Sequence, residues 1–164
     1  MLPNRISPQP GQESVWDYPR PPRVEACTDQ ICVWIGEQMI ANSCQTWRVL
    51  ETSHPPVYYI PATDILMEFL QPTPRTSFCE FKGVASYWHW QQGSRRIENI
   101  AWSYRDPTPA FAVIRDHLAF YPSRVDRALV NGEVVQAQAG DFYGGWITSK
   151  IVGPFKGGAG TWGW

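Results

Sequence analysis

Short apolar runs separated by turn-forming residues dominate the pattern of this chain. Residues 31–35 and 38–43 are two such runs around a short Gly-containing connection, which is typical of a β-hairpin. The pattern returns in residues 127–135, where Asn131-Gly132 separates two apolar runs. Asn-Gly is the strongest short hairpin signal, because both turn positions tolerate positive φ. Each stretch therefore predicts an antiparallel pair of strands.

The middle of the chain predicts more strands and one short helix. Apolar or alternating runs predict strands at 47–51, 57–60, 65–70 and 118–121, and a three-strand meander at 77–82, 85–90 and 96–103. A short helix is expected over 110–117, because Pro109 suits the first helical position and Thr108 can cap it.

Proline frequency argues against a helical bundle. The 164 residues include 15 Pro and 13 Gly, and Pro inside a helix removes a hydrogen-bond donor and clashes with the preceding turn. The sequence therefore predicts a mainly β protein with a compact single β-rich domain. Barrel-like, sandwich and β-tent-like arrangements all remain open.

Both ends of the chain differ from this core. Residues 1–15 contain three prolines and little to bury, so we expect a flexible N-terminal arm. The core domain then covers residues 16–135. It begins with an extended strap, residues 16–23, that either lies on the surface or carries Tyr18 and Arg20 to a pocket rim. Residues 136–164 combine glycines with aromatic rings, which predicts an irregular C-terminal wrap packed on the core or on a partner subunit.

Charge and hydropathy argue against nucleic acid and membrane as partners of this protein. The chain has 14 Lys and Arg against 15 Asp and Glu, a net charge of −1, so no basic excess indicates a nucleic-acid partner. No run approaches the roughly 18 apolar residues of a membrane span, and the start lacks the apolar stretch of a signal peptide. We expect a cytoplasmic protein without nucleic-acid or membrane partners.

The cysteines do not form a metal-ligand pattern. The four cysteines are Cys27, Cys32, Cys44 and Cys79. No two of them have the CxxC spacing of a structural zinc site. We therefore predict no metal and no cofactor, and the spacing leaves open whether the cysteines pair.

A long run around His54 resembles a known family. The run Glu51-Thr52-Ser53-His54-Pro55-Pro56-Val57-Tyr58-Tyr59-Ile60-Pro61 is similar to the core signature of the family known as domain of unknown function 427. Further similar segments lie at 76–83, 87–88, 101–104 and 119–121, and the tail from Phe142 to Trp164 is similar to that of longer members. The resemblance implies a bacterial protein with a compact β-rich domain and no agreed activity. It also brings a nucleotidyltransferase label.

The acidic residues do not support that label. Phosphoryl transfer needs metal ions held by paired carboxylates. The nearest pairs, Asp64 with Glu68 and Asp106 with Asp116, lack the usual spacing of one or two residues on a strand. A phosphate-binding Gly-x-x-x-x-Gly-Lys run is also missing from the sequence.

Three residues are candidates for catalysis: His54, Cys79 and Glu80. His54 lies in a rigid turn and could act as a base or hydrogen-bond to its own loop. Cys79 needs a base such as His54 beside it to act as a nucleophile, and is otherwise an inert buried thiol. Strand alternation would place Cys79 and Phe81 on one face and Glu80 and Lys82 on the other.

Aromatic side chains offer the better functional lead. The predicted ligand-binding residues, expected around one concavity, are Arg20, His54, Tyr58, Lys82, Trp102 and Tyr104. Lys82 and Arg20 would bind an anionic group, and Trp102 would offer a flat wall to a ring. The leading hypothesis is thus a small-molecule-binding β-domain for an anionic aromatic or nucleotide-like ligand.

Two other functions stay open. One is an enzyme, a hydrolase or transferase that uses His54, Cys79, Glu80 or Lys82. The other is a structural or protein-interaction module, whose contact surfaces are the strap and the aromatic tail; the same tail favours a homodimer. In the simplest alternative, Lys82 and Arg20 pair with acidic residues at the surface and the rings are only core.

Overall fold

Strands make up most of the regular structure in the computed structural model, which describes residues 2–164. The strands are β1 (Glu13–Ser14), β2 (Arg23–Cys27), β3 (Ile31–Ile35), β4 (Gln38–Ser43), β5 (Thr46–Leu50), β6 (Val57–Tyr59), β7 (Leu70–Cys79), β8 (Gly83–Gln92), β9 (Arg95–Tyr104), β10 (Leu118–Phe120), β11 (Arg127–Val130), β12 (Glu133–Val134), β13 (Gln136–Ala137), β14 (Trp146–Ile147) and β15 (Ile151–Val152). Short 3-10 helices cover Val15–Asp17, Ala62–Asp64, Met67–Phe69, Pro109–Ile114 and Pro122–Arg124.

Three antiparallel sheets form the body of the protein. Their strand orders are β10-β9-β8-β7, β12-β11-β3-β4 and β2-β5-β6. A bridge between Ile60 and Leu118 joins the end of β6 to β10. The predicted mainly β fold class is confirmed, and the described strands form separate sheets without closing into a barrel.

Both predicted hairpins and the meander are confirmed. β3 pairs with β4 and β11 pairs with β12. At the second turn Asn131 and Gly132 have φ values of 49° and 82°, as the Asn-Gly signal requires. The meander consists of β7, β8 and β9, each longer than its sequence pattern indicated.

Two local predictions need correction. Residues 65–70 do not form one strand: Ile65 makes a single bridge to Ala41, the chain then turns through the 3-10 helix Met67–Phe69, and Leu70 begins β7. The helix expected over 110–117 is the 3-10 helix Pro109–Ile114. The Thr108 hydroxyl does not cap this helix, since it donates to the Phe81 carbonyl instead.

The two end segments of the chain contact each other. β1 pairs with β15 in parallel, and the Ile6 N–H donates to the Gly153 carbonyl. The Trp16 indole donates to the Pro154 carbonyl at 2.9 Å. The division into arm, core and extension stays a prediction. The start of the chain nevertheless lies against the C-terminal segment, which is the name used below for residues 136–164.

Two apolar clusters lie back to back across β6. Tyr58 belongs to the larger cluster, with Trp90 and Trp146. Tyr59 belongs to the second cluster, with Tyr87 of β8 and with Trp102 and Tyr104 of β9. The candidate site lies beside this second cluster. None of the helices in residues 2–164 is long and apolar enough to cross a membrane.

Candidate functional site

A cavity of about 630 Å³ opens where the second apolar cluster meets the C-terminal segment. Its inner wall consists of aromatic residues from β6, β8, β9 and the residue after β10: Tyr59, Tyr87, Trp102, Tyr104 and Tyr121. The C-terminal segment closes the other side with Gln138, Phe142, Tyr143, Gly144 and Lys156. Polar and aromatic groups from distant parts of the chain therefore face one space.

The structure brings most of the predicted binding residues to this cavity. Those that line it are Arg20, His54, Lys82, Trp102 and Tyr104, together with the catalytic candidates Cys79 and Glu80. Tyr58 does not line it, so the structure does not bring this residue together with the others. Successive side chains on a strand point to opposite faces, so Tyr58 packs 5.1 Å from Trp146 in the other cluster and Tyr59 faces the cavity.

Lys82 reaches the cavity from the turn between β7 and β8. The predicted alternation through 79–82 is wrong because the strand ends at Cys79. The Thr108 hydroxyl and N–H bind the carbonyls of Phe81 and Lys82 at 2.6 and 3.1 Å, which ties the turn down. Lys82 is consequently only 9% exposed, whereas Glu80 lines the cavity as an exposed residue.

The Lys82 ammonium has no acidic partner within residues 2–164. It lies 5.9 Å from the centre of the Tyr104 ring and 5.8 Å from that of Phe111, and it forms no ion pair. Burial by itself lowers the pKa of Lys82. The electrostatic effect of the Tyr59, Cys79 and Glu51 side chains is larger in total, so the pKa of Lys82 is above its usual value. Lys82 is therefore a buried cation at neutral pH.

Hydrogen bonds and ring contacts hold the aromatic wall in place. The Trp102 indole donates to the Tyr59 hydroxyl at 3.2 Å, and its ring lies 4.6 Å from that of Tyr121. Tyr59 and Tyr104 have ring centres 6.2 Å apart. Burial raises the pKa of both tyrosine hydroxyls, so both are neutral and able to donate.

His54 lies in a turn whose backbone is hydrogen-bonded to the C-terminal segment before and after His54. The carbonyls of Ser53 and Pro56 accept hydrogen bonds from the N–H groups of Lys156 and Trp146, both at 2.9 Å. The His54 ring stacks edge-on against Tyr143 at 4.7 Å. Burial, followed by the positive charges of Lys156, Arg20 and Lys82, lowers the pKa of His54 to about 3. The imidazole is neutral at physiological pH.

Arg20 lies at the rim with its guanidinium already engaged. It forms an ion pair of 3.1 Å with Glu51 and donates to the Thr52 carbonyl at 2.8 Å. Thr52 in turn donates to the Tyr18 carbonyl and fixes the strap. The surface pairing considered from the sequence is therefore present for Arg20, whereas Lys82 forms no ion pair with any residue that the structure describes.

Cys79 and Glu80 line the cavity but do not form a catalytic arrangement with His54. The Cys79 thiol is free and half-buried, and no hydrogen bond joins it to His54 in the part of the chain that the structure describes. The other three cysteines are free as well. Over residues 2–164, no three His, Cys, Asp or Glu side chains converge as a metal site would require.

Several residues that line the cavity are not among the binding residues predicted from the sequence. Gln138, Tyr143 and Lys156 come from the C-terminal segment, whose Gly-aromatic pattern was visible in the sequence although its contacts were not. At Gly144, a Cβ would lie 2.7 Å from Cζ3 of Trp102 and closer still to Cη2. The pattern exists because the backbone itself packs against the ring there.

A family model described as a domain of unknown function (DUF427) matches residues 23–131. The chain belongs to the DUF427 family. The resemblance seen in the sequence is thereby confirmed. A comparison with curated proteins gave no match.

The DUF427 match covers only part of the cavity. His54, Lys82 and the aromatic wall lie inside it, whereas Arg20 precedes it and the whole C-terminal segment follows it. The family model also carries a nucleotidyltransferase label. The acid pairs weighed for such chemistry, Asp64 with Glu68 and Asp106 with Asp116, do not line the cavity.

Proposed function

We propose that this DUF427 protein binds a small aromatic anion in its cavity. The buried, unpaired ammonium of Lys82 is the observation that carries the proposal. A charge removed from water is costly unless an opposite charge or good hydrogen bonds compensate. Since Lys82 forms no ion pair with a carboxylate in residues 2–164, a carboxylate or phosphate on a ligand is the natural partner.

The aromatic wall supports a planar ligand. Tyr59, Trp102 and Tyr104 offer ring faces and edges to a flat molecule, and aromatic pairs prefer offset or edge-to-face contacts. A volume of about 630 Å³ falls within the roughly 300–1,000 Å³ of ordinary small-molecule sites. An aromatic acid fits comfortably, and a mononucleotide-like molecule is within the same range.

Arg20 adds a second positive charge at the rim. Because Glu51 already neutralises much of it, Arg20 contributes more to attracting an anion than to anchoring one. Lys82 is therefore the anchor in this proposal. The enzyme and interaction-module hypotheses, the homodimer, the cytoplasmic location and the lack of nucleic-acid, metal and cofactor partners stay predictions.

A thermal-shift comparison tests the proposal. The probes are indole-3-acetate, 4-acetylbenzoate and adenosine monophosphate, each with its uncharged counterpart, indole-3-acetamide, 4-acetylbenzamide and adenosine. The variants are Lys82→Met and, as a control at an exposed lysine outside this cavity, Lys150→Met.

We expect at least one anion to raise the melting temperature of the wild type and of Lys150→Met, with a smaller shift for its uncharged counterpart. That anion should raise the melting temperature of Lys82→Met much less than that of the wild type. If no anion stabilises the wild type, or if Lys82→Met responds as the wild type does, the proposal is wrong.

A further inference from the structure

Resting on this proposed function, we propose that His54 donates a hydrogen bond from Nε2 to the ligand, and that Gln138 of the C-terminal segment holds it in that role. The ligand would then carry a hydrogen-bond acceptor, such as a carbonyl oxygen or ring nitrogen, in addition to its anionic group. His54 becomes a specificity-determining residue of the cavity.

The side-chain amide of Gln138 has only one possible orientation. Its Oε1 accepts from the Gly145 N–H at 3.1 Å, and its Nε2 donates to the Lys156 carbonyl at 2.7 Å. A backbone N–H can only donate and a carbonyl can only accept, so a flipped amide would lose both bonds. The NH₂ group of Gln138 therefore also faces Nδ1 of His54, 3.1 Å away.

This contact determines which ring nitrogen of His54 carries the proton. An NH₂ group can only donate, so Nδ1 must accept with its lone pair. In a neutral imidazole the proton then lies on Nε2. Burial among the charges of Lys156, Arg20 and Lys82 keeps the ring neutral.

The Nε2–H group of His54 has no hydrogen-bond acceptor among residues 2–164. The nearest acidic oxygen is Oε2 of Glu51 at 3.6 Å, which is too far for a hydrogen bond. That carboxylate is also engaged by Arg20. Because His54 is 9% exposed and lines the cavity, a ligand acceptor is the available partner for this N–H.

The same geometry argues against His54 as a general base. Its Nδ1 lone pair is taken by Gln138, and its Nε2 already carries a proton. A base that removes a proton from a molecule in the cavity needs a free lone pair aimed at that proton. The hydrolase or transferase hypothesis that relies on His54 as a base would require a change of tautomer first.

Gln138 lies beyond the residues that match the DUF427 model. The donor role of His54 is therefore a property that the C-terminal segment adds to the family core. Gly145 and Lys156, whose backbone groups orient the amide, belong to the same segment.

Long-range proton–nitrogen NMR of the ligand-free protein tests the tautomer directly. The His54 signals are assigned by their loss in His54→Phe. At neutral pH we expect a pyrrole-type Nε2 and a pyridine-type Nδ1 in the wild type. In Gln138→Glu, whose carboxylate can only accept, the proton should move to Nδ1. A wild-type His54 protonated on Nδ1, or on both nitrogens, would overturn the inference and leave the proposed function standing.

A matched pair of acids tests the consequence for binding. The probes are 4-acetylbenzoate and 4-isopropylbenzoate, which are similar in shape and differ in the carbonyl acceptor. We expect the affinity ratio in favour of the acetyl compound to be about 2- to 10-fold higher in the wild type than in His54→Phe, the range for one neutral hydrogen bond. An unchanged ratio overturns the inference. If neither acid binds the wild type, the result counts against the proposed function and against this ligand requirement with it.

Discussion

The backbone of Gly144 packs against the edge of the Trp102 ring, with no space for a side chain between them. A Cβ at position 144 would also lie 3.2 Å from the Tyr121 ring. The contact joins the C-terminal segment to the aromatic wall that the family core provides. Cavity and C-terminal segment therefore form one structural unit.

Replacing this glycine should loosen that unit. In Gly144→Ala the added methyl group overlaps Trp102, so either the ring or the segment must shift. We expect a loss of about 1–3 kcal/mol in unfolding free energy, measured by urea denaturation. Gly163→Ala is the control, because a Cβ there meets no atom within 4 Å. Equal stability of the two variants would show that the close packing at Gly144 does not exist in solution.

Lys82→Met should destabilise the ligand-free protein less than Arg48→Met does. The substitution removes a buried cation that forms no ion pair within residues 2–164 and keeps a side chain of similar length. Because neighbouring groups favour the charged form of Lys82, we expect a small loss in unfolding free energy. Arg48→Met is the contrasting variant, because Arg48 pairs with both Glu13 and Glu25, and it should cost about 1–3 kcal/mol.

Chemical denaturation of both variants at neutral pH decides the point. A loss at Lys82→Met as large as that at Arg48→Met would mean that Lys82 stabilises the fold. The anchor role proposed for it would then lose its basis.

Tyr59 and Tyr58 should behave differently although they are adjacent. Tyr59→Phe removes the acceptor of the Trp102 indole and a cavity hydroxyl, so we expect a loss of about 1–3 kcal/mol in stability and weaker binding of 4-acetylbenzoate. Tyr58→Phe should leave that binding unchanged, because Tyr58 faces the other cluster. Calorimetric titration of both variants checks this, and a larger binding defect at Tyr58 would reverse the assignment.

Acid should destabilise the protein through His54. Its pKa is about 3 in the folded protein against an ordinary value of 6.5, so the unfolded chain takes up the proton first as the pH falls. The stability associated with a neutral His54 is therefore complete above about pH 6.5 and declines as the pH falls from 6.5 towards 3. Between pH 7 and pH 5 this amounts to about 2 kcal/mol.

His54→Gln isolates this effect. The groups that face His54, which are Glu51, Arg20, Lys82, Lys156 and Tyr143, are the same in both proteins. Urea denaturation at pH 7 and pH 5 should show a smaller loss in the variant than in the wild type. Identical losses would mean that His54 is not held neutral by burial.

Local signals in the sequence are sufficient for much of the sheet structure. A tight two-residue hairpin turn needs positive φ at two successive positions, and Asn131-Gly132 is the pair of residues that tolerates this best. The segment 65–70 shows the limit: its apolar residues fit a strand, but only Ile65 pairs with another strand, through Ala41, before the chain turns at Met67–Phe69. Long-range contacts of this kind leave no local pattern.

The candidate site follows the same rule. Lys82 is predictable because a cation among aromatic residues is unusual in a chain with few charges, and Trp102 because it alternates with Tyr104 on one strand face. Tyr58 and Tyr59 are chemically identical, and only the pairing of β6 with its neighbours decides which one faces the cavity. The burial of Lys82 depends on Thr108, and the proton of His54 depends on Gln138. Each of these partners is remote in sequence.

Calorimetric titration of the three anions, indole-3-acetate, 4-acetylbenzoate and adenosine monophosphate, into the wild type and Lys82→Met tests the central claim most directly. A charge-assisted contact with a buried ammonium is worth about 1.5–3 kcal/mol, or roughly 10- to 100-fold in affinity. We expect at least one anion to bind the wild type with one site per chain and to bind Lys82→Met at least 10-fold more weakly. Failure of all three to bind the wild type, or equal affinity for both proteins, would contradict the claim that this cavity is an anion-binding site built around Lys82.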